Sequence, residues 1–344
     1  MKAMILAGGM STRLYPLTKE LPKPLVPVAG EPNCAHVIRY LQSFGILEIA
    51  INVHYHAEMV KNVLGDGSKF GVTLTYLDED RLMGSAGAVK QMEPFFDETF
   101  VVVGCDDLTD LNLDRLIDFH RRAGALATIA LVQADDVSQY GVVVVDEKGK
   151  IVEFQEKPEP GTEKSHFVNT GIYVFEPGIF DRIPANVFYD FGKNVFPALQ
   201  AEGAAFYGQH VPGAYWCDIG TPSEYRRATA DVLSGRVRLL GKTRVRGLPP
   251  GAPFGEELVI EGDVRVGEGV RFGKRVHVRG PAVLGDGVHI DDDALIDRSI
   301  VWDGSQIGAR AHVVDSIVGI SYRVPADTTL DNLIVANEPA EAAT

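Results

Sequence analysis

Apolar residues recur along the first two thirds of the chain in two alternating textures. Residues 2–7 are a short apolar run that ends at Gly8-Gly9, and residues 48–53, 72–77 and 126–132 are further runs of strand length. Residues 99–103 form a continuous run, the pattern of a strand buried on both faces. Between these runs the spacing is helical. It links Cys34, Val37, Ile38, Leu41 and Phe44, then residues 56–64, then Leu113, Leu116 and Ile117 in a helix that ends near Gly124. Such alternation predicts a mostly parallel sheet with helices on both faces.

From Gly141 the pattern changes. Residues 141–146 and 150–154 flank Glu147-Lys148-Gly149 and predict a hairpin. Residues 168–175 predict a strand and 223–233 a helix, with Thr221 as N-cap and Pro222 at the first helical position. Residues 240–253 are rich in Gly and Pro. Beyond them, Ile260, Val266, Phe272, Val278, Leu284, Ile290 and Ile296 lie six apart. A second series does the same: Val264, Val270, Val276, Ala282, Val288, Ala294 and Ile300. Gly267, Gly273 and Gly285 follow apolar positions. A six-residue apolar repeat with glycine predicts a parallel β-helix, each hexad forming one face of a triangular coil. Near Trp302 the phase slips by one, to Ile307 and Val313. The competing architecture is a β-sandwich, which does not call for two registers of unbroken matches. The expected organisation is a catalytic domain over residues 1–235, a linker over 236–253, a hexad domain over 254–335 and a disordered tail over 336–344.

Composition narrows the classes. A chain of 344 residues suits two domains. Lys and Arg number 33 against 47 Asp and Glu, a formal net charge of −14, so nucleic acid is not an expected partner. Cys34, Cys105 and Cys217 show no zinc spacing and no disulfide framework, which suits a reducing compartment. The N-terminal run is too short for a secretory segment, and no stretch approaches the roughly 18 to 20 apolar residues of a membrane span. A cytoplasmic protein with no membrane partner is expected.

Three strings carry candidate chemistry. The first is Leu6-Ala7-Gly8-Gly9-Met10-Ser11-Thr12-Arg13, continuing to Pro22-Lys23-Pro24-Leu25. A glycine-rich turn after a strand lets backbone N–H groups approach phosphate oxygens, and Arg13 and Lys23 add two cations. It is neither a Walker loop nor a G-x-G-x-x-G turn. The second is Gly104-Cys105-Asp106-Asp107-Leu108-Thr109-Asp110, carboxylates at the C-terminal end of a buried strand, where such sheets bind ligands. Mg²⁺ takes one or two carboxylates plus phosphate oxygens and water. The third is Trp216-Cys217-Asp218-Ile219-Gly220-Thr221-Pro222. Taken singly, each has a plainer reading: a tight turn with solvated cations, a capping cluster, a helix start.

Together the strings resemble the signature of the sugar-1-phosphate nucleotidyltransferases, the NDP-sugar pyrophosphorylases, over residues 1 to about 233; hexad tails occur in many members. The fold class this implies is α/β: a Rossmann-like, mostly parallel nucleotidyltransferase sheet followed by a left-handed parallel β-helix. The resemblance implies that residues Leu6 to Thr12 wrap a nucleoside triphosphate, that Arg13 and Lys23 neutralise it, and that Asp106 (Asp107 as second choice) and Asp218 hold Mg²⁺. It further implies that Gly84, Ser85, Ala86 and Gly87 lie near the base. Glu156 and Lys157 of a Glu-Lys-Pro element and Asn169, Thr170 and Gly171 of an Asn-x-Gly-Ile-Tyr strand would then receive the sugar 1-phosphate. Cys105 stands where the family usually has Gly, Leu82 where Pro is common, and Glu31 where Lys or Arg is frequent. The Gly84 to Gly87 element and the hexad tail look most like the mannose-1-phosphate guanylyltransferases, implying GTP and mannose 1-phosphate. Glucose-1-phosphate thymidylyl-, uridylyl- and adenylyltransferases share most of the motifs.

The implied reaction is in-line displacement at the α-phosphorus by the sugar phosphate, with no covalent enzyme intermediate and no role for the cysteines. Two other classes compete. A catalytically silent regulatory subunit would keep the fold but lose site residues, and Arg13, Lys23, Asp106, Lys157 and Asp218 are all present. An acyltransferase centred on the β-helix would use His277, His289 or His312 as base. The tail is expected to pack on the catalytic domain or to build a homo-oligomer interface.

Overall fold

The first apolar run becomes β1 (Lys2–Leu6), with Ala3, Met4 and Ile5 fully buried. The computed structural model describes residues 1–237, 239 and 255–337. After β1 come α1 (Leu17–Glu20), a hairpin of β2 (Pro27–Val28) and β3 (Glu31–Pro32), and α2 (Asn33–Ser43). Then β4 (Glu48–Val53), α3 (Ala57–Leu64), β5 (Thr73–Asp78) and α4 (Gly84–Gln91) alternate. The chain continues through β6 (Phe100–Gly104), β7 (Asp107–Thr109), α5 (Leu113–Ala123) and β8 (Ala127–Gln133). The predicted hairpin is β9 (Gly141–Val145) with β10 (Ile151–Glu156), followed by β11 (Phe167–Phe175) and α6 (Phe196–Ala201). β12 (Phe206–His210), β13 (Trp216–Asp218) and α7 (Pro222–Leu233) close this part.

The Rossmann-like sheet has nine strands, ordered β10-β9-β11-β6-β1-β4-β5, with β8 between β11 and β12. β6, β1, β4 and β5 are parallel, as expected. The sheet inverts at β11, which runs antiparallel to β6, β8 and β9. Local signals bound α5, which ends at Gly124 as predicted. Asn112 Oδ1 accepts from Arg115 N–H (3.0 Å) at the start of α5, and Gly124 (φ 56°) ends it. An aromatic stack underlies the β11 side. Phe175 and Phe191 lie 5.0 Å apart between ring centroids, Phe191 and Phe196 5.7 Å, and Phe196 and Phe206 5.1 Å.

The backbone groups into two compact units. Met1–Gly9 with Val37–Asp218 form the first, and Met10–His36 with Ile219–Thr344 the second. The nine-stranded sheet belongs to the first; α1, the β2–β3 hairpin, α7 and the hexads belong to the second. Of the expected linker only residues 236, 237 and 239 are described, and of the expected tail only 336 and 337; the rest of both lies outside the described residues.

The hexads form three stacks of short parallel strands, the arrangement of a left-handed β-helix. Their inward side chains, among them Val270, Val276, Val288 and Ile296, make one continuous apolar core. Val259 pairs with His277, 18 residues further on, whereas Ile300 pairs with Ile317, 17 further on. The change falls at the Arg298–Ser299 corner: Arg279 pairs with Asp297, but Val283 with Ile300. The phase slip therefore precedes Trp302, and Val301 rather than Ile300 fills the interior. Counting apolar positions does not see the length of a corner, which is what changed.

Candidate active site

Several of the candidate side chains stand at or just beyond the ends of strands. At the end of β1, Ala7 N–H donates to Asn52 Oδ1 (2.9 Å) on β4, and Asn52 Nδ2 donates to Glu79 Oε2 (2.6 Å) just beyond β5. Glu79 Oε1 in turn accepts from Met83 N–H (3.0 Å). Gly8 is buried against this bridge: a Cβ there would lie 2.6 Å from both Asn52 Nδ2 and Glu79 Oε2. Sequence reasoning missed Asn52 and Glu79. The one available signal was a polar residue inside the apolar run 48–53.

The cation-bearing segment belongs to the second unit. Met10, Thr12 and Arg13 are exposed, and Thr12–Leu14 make a single 3₁₀ turn. Ser11 takes the left-handed conformation (φ 53°), and its carbonyl accepts from Thr18 Oγ1 (2.8 Å). Lys23 opens a second 3₁₀ turn and is 8% exposed. Leu25 N–H donates to Pro22 O (2.8 Å) and Val26 N–H to Lys23 O (3.1 Å). Nearby, Asn33 N–H donates to Val26 O (3.0 Å), which ties this turn to the start of α2.

The acidic motifs meet in the first unit through the antiparallel pair β7–β13, in which Asp107 faces Asp218. Asp107 is buried, with Oδ2 accepting from Gly104 N–H (2.9 Å) and Oδ1 from Trp216 Nε1–H (2.9 Å). Burial pushes its carboxyl well above the ordinary carboxylate range, and the charges of Asp106 and Asp218 push it further. Asp107 thus bonds to the scaffold, while Asp106 and Asp218 are half-buried. Thr109 Oγ1 donates to Tyr215 O (2.7 Å), and Asp110 Oδ1 accepts from Tyr215 N–H (2.8 Å), clamping the pair. Cys105 is a buried packing residue whose N–H donates to Leu6 O (3.0 Å). The close approach falls on Gly104 instead: a Cβ there would lie 2.7 Å from Asp106 Oδ1.

The donor set suits a hard divalent cation. Among the described residues no cluster of three or more His, Cys, Asp or Glu could hold a metal alone. Two carboxylates completed by phosphate oxygens is the Mg²⁺ pattern, and like charges gathered around Asp107 are what such a cation would offset.

A second cluster collects around β10, β11 and the segment before α6. Glu156 ends β10, opposite Gly141 of β9. Desolvation raises the Glu156 carboxyl above its ordinary range; Lys157 opposes that rise and Asp190 adds to it. Lys157 is exposed, takes φ 45°, and its N–H donates to Tyr140 O (3.2 Å). Asn169 Oδ1 accepts from Gly171 N–H (3.0 Å), and Asn169 Nδ2 donates to Tyr173 Oη (3.1 Å). Thr170 is buried with its hydroxyl donating to Ala130 O (2.9 Å), so that side chain serves the sheet. Ser85 Oγ donates to Asp190 Oδ2 (2.8 Å) and accepts from Phe191 N–H (2.9 Å). Ala86 and Gly87 N–H both donate to Tyr189 O (3.0 and 2.9 Å). The Gly84 to Gly87 element is therefore engaged by residues 189–191. Asp190 was missed because it stands alone in an aromatic stretch.

The three β-helix histidines lie on the outside of the coils. His277 Nε2 is 3.1 Å from Glu261 Oε2 and His289 Nε2 is 3.4 Å from Asp291 Oδ1, while His312 is exposed. Among the described residues, nothing around them forms an acyl-transfer site.

A family profile described as nucleotidyl transferase matches residues 2–235. The chain belongs to that family and is an enzyme of that class. Its similarity to individual proteins extends through the hexads. It is 37% identical to the UTP–glucose-1-phosphate uridylyltransferase of Synechocystis sp., over 94% of this chain and 88% of that protein. It is 34% identical to the mannose-1-phosphate guanylyltransferase of Mycobacterium tuberculosis, over 86% of this chain and 83% of that protein. A solved structure from Bacillus anthracis, provisionally described as a glucose-1-phosphate thymidylyltransferase in complex with a sucrose, superposes with a TM-score of 0.63 at 29% identity. It covers 71% of this chain and 98% of its own.

Proposed function

We propose that this enzyme joins a sugar 1-phosphate to a nucleoside triphosphate, releases pyrophosphate and forms an NDP-sugar, with GTP and mannose 1-phosphate as the favoured pair. The observation that carries this reading is the meeting of two acidic motifs, 109 positions apart at the Trp216–Asp107 hydrogen bond, on one strand pair. UTP with glucose 1-phosphate is the second reading, supported by the 37% identity to a uridylyltransferase of that specificity.

The sugar phosphate is its own nucleophile. Its second pKa is about 6, so at neutral pH it is largely dianionic and needs no general base. What the protein supplies is alignment of two anions and stabilisation of departing charge. In this scheme Asp106 and Asp218 would hold Mg²⁺, which would supply neutralisation of phosphate charge. Arg13 and Lys23 take the β- and γ-phosphates, backbone N–H groups of residues 8–12 approach the triphosphate, and Lys157 takes the sugar phosphate. Glu156 and Asn169 offer hydrogen-bonding groups to sugar hydroxyls. Asp107, bonded to Gly104 and Trp216, would keep strands β7 and β13 in place.

Cytoplasmic residence belongs to the same proposal, supported by three sparse, buried cysteines. No helix among the described residues is long and apolar enough to cross a membrane. Self-association is included too; Val259, Ile320 and Leu333 are exposed apolar side chains on the β-helix that could serve it. The decisive experiment is pyrophosphate release with Mg²⁺, crossing GTP, UTP, dTTP, ATP and CTP with mannose, glucose, galactose and N-acetylglucosamine 1-phosphates. One preferred pair supports the reading and fixes the substrates. No turnover by folded protein, with tight binding of a sugar nucleotide, would replace it with the regulatory-subunit reading.

A further inference from the structure

The hairpin that follows Lys23 is anchored to the β-helix at two points. At the first, Trp302 Nε1–H donates to Tyr225 Oη (3.0 Å), and Tyr225 Oη donates to Pro27 O (2.5 Å). Both rings are buried, with Tyr225 fully so, and they meet edge to face at 6.4 Å. The phenol gives its one proton to Pro27 and a lone pair to Trp302, so the Tyr225 hydroxyl and the Trp302 indole N–H are both paired inside the core. At the second point, Arg265 from the opening coils packs against the hairpin turn. Ala29 (φ 48°) and Gly30 (φ 82°) form that turn, and the Arg265 guanidinium occupies the place of a Gly30 side chain, Cζ lying 1.9 Å from where a Cβ would sit.

Between Pro27 and Lys23 the backbone has little freedom. Pro22, Pro24 and Pro27 have fixed φ, and the 3₁₀ turn and the Asn33–Val26 hydrogen bond hold the rest. Leu25 and Val26 are buried. A shift at Pro27 therefore moves Lys23.

We propose that Trp302 and Arg265, acting through Tyr225 and Gly30, are positioning residues for nucleotidyl transfer: the β-helix holds the segment that carries Lys23. This rests on the proposed role of Lys23 at the triphosphate. A β-helix that only stabilised the chain would contribute to melting temperature but not selectively to turnover.

The test uses full-length Tyr225→Phe, Trp302→Phe and Arg265→Ala, each alone and combined with Lys23→Ala, on the preferred substrate pair. Misplacing one electrostatic group is expected to lower kcat about 10-fold in Tyr225→Phe and about threefold in Trp302→Phe, with KM for the sugar 1-phosphate within about twofold. In the Lys23→Ala background none of the three substitutions should lower kcat further. Hydrogen exchange at residues 22–28 should quicken in Tyr225→Phe while amides of β1 and β6 keep their protection. Unchanged kcat in folded single variants, or equal losses with and without Lys23, overturns the proposal. If the wild-type protein turns over no pair at all, the functional reading has failed separately. Exchange then decides the anchoring: faster exchange at residues 22–28 supports it and unchanged exchange overturns it. Should Tyr225→Phe fail to fold, Arg265→Ala carries the same test.

Discussion

The carboxylates and the cations of this enzyme are held by different kinds of scaffold. Asp106, Asp107 and Asp218 stand at strand ends, where β1–β6 pairing, the β7–β13 pair and bonds from Gly104 and Trp216 fix them. Arg13 and Lys23 stand on a segment of three-residue turns and one two-residue hairpin, whose hydrogen bonds run to Thr18, Asn33 and Tyr225. A ladder places a charge through its immediate neighbours. A loop needs anchors brought from far along the chain, here 198 positions away at Tyr225.

Substitutions on the two scaffolds should separate them. The largest effects are on turnover: Lys23→Ala or Arg13→Ala should each lower kcat by roughly 10² to 10³, the usual cost of one positioned electrostatic group, in a steady-state pyrophosphate assay. Near-wild-type turnover would remove that residue from the scheme. On the ladder side, Asp107→Ala strands the Gly104 N–H and the Trp216 indole N–H, both bonded to that carboxylate. It should destabilise the protein by about 2–4 kcal/mol in denaturant unfolding. A loss below about 0.5 kcal/mol would mean that water replaces the carboxylate and that the pair is not what fixes this centre. Gly8→Ala forces a Cβ to 2.6 Å from the Asn52–Glu79 bridge, and a measurable fall in both stability and turnover is expected.

A smaller effect concerns pH. His120 sits inside the sheet unit, Nδ1 2.8 Å from Thr128 Oγ1 and Nε2 3.2 Å from Glu176 Oε1. Burial lowers its pKa below the ordinary 6.5, with Glu176 opposing and Arg121 assisting the shift. The unfolded chain therefore takes up this proton first as pH falls. The contribution is full above about 6.5 and is lost below it, down toward the lower folded value. His120→Gln should flatten the stability profile in that window, and an unchanged slope would assign it to other groups. Least of all should follow from Arg275→Ala, which removes an exposed ion pair with Asp293 on the β-helix rim. Its denaturation midpoint should stay within error, as exposed pairs generally do.

Legibility followed the same division. Contiguous strings could be read directly. Thr221 does cap α7, with Glu224 N–H on its hydroxyl (3.3 Å), and the hexads do coil. Asn52, Glu79 and Asp190 each come singly from a separate segment, and no local spacing marks them; Tyr225 stands three residues beyond the Trp216 to Pro222 string, but nothing in the sequence marks its bond to Pro27. The antiparallel entry of β11 was equally hidden, because a strand pattern carries no direction. The resemblance puts Asp106 ahead of Asp107 as a metal ligand, but no local signal separates the two; in the structure Asp107 is the buried one, with two donors on its carboxylate.

The chain has only two tryptophans. Trp216 has its indole N–H on Asp107, and Trp302 has its own on Tyr225. The carboxylate centre and the anchored loop therefore each carry one intrinsic fluorophore, and two single Trp→Phe proteins would split the emission into separate optical channels. Titrating Mg²⁺ or nucleotide into each would show, without any added label, whether the two scaffolds respond to a ligand together or one at a time.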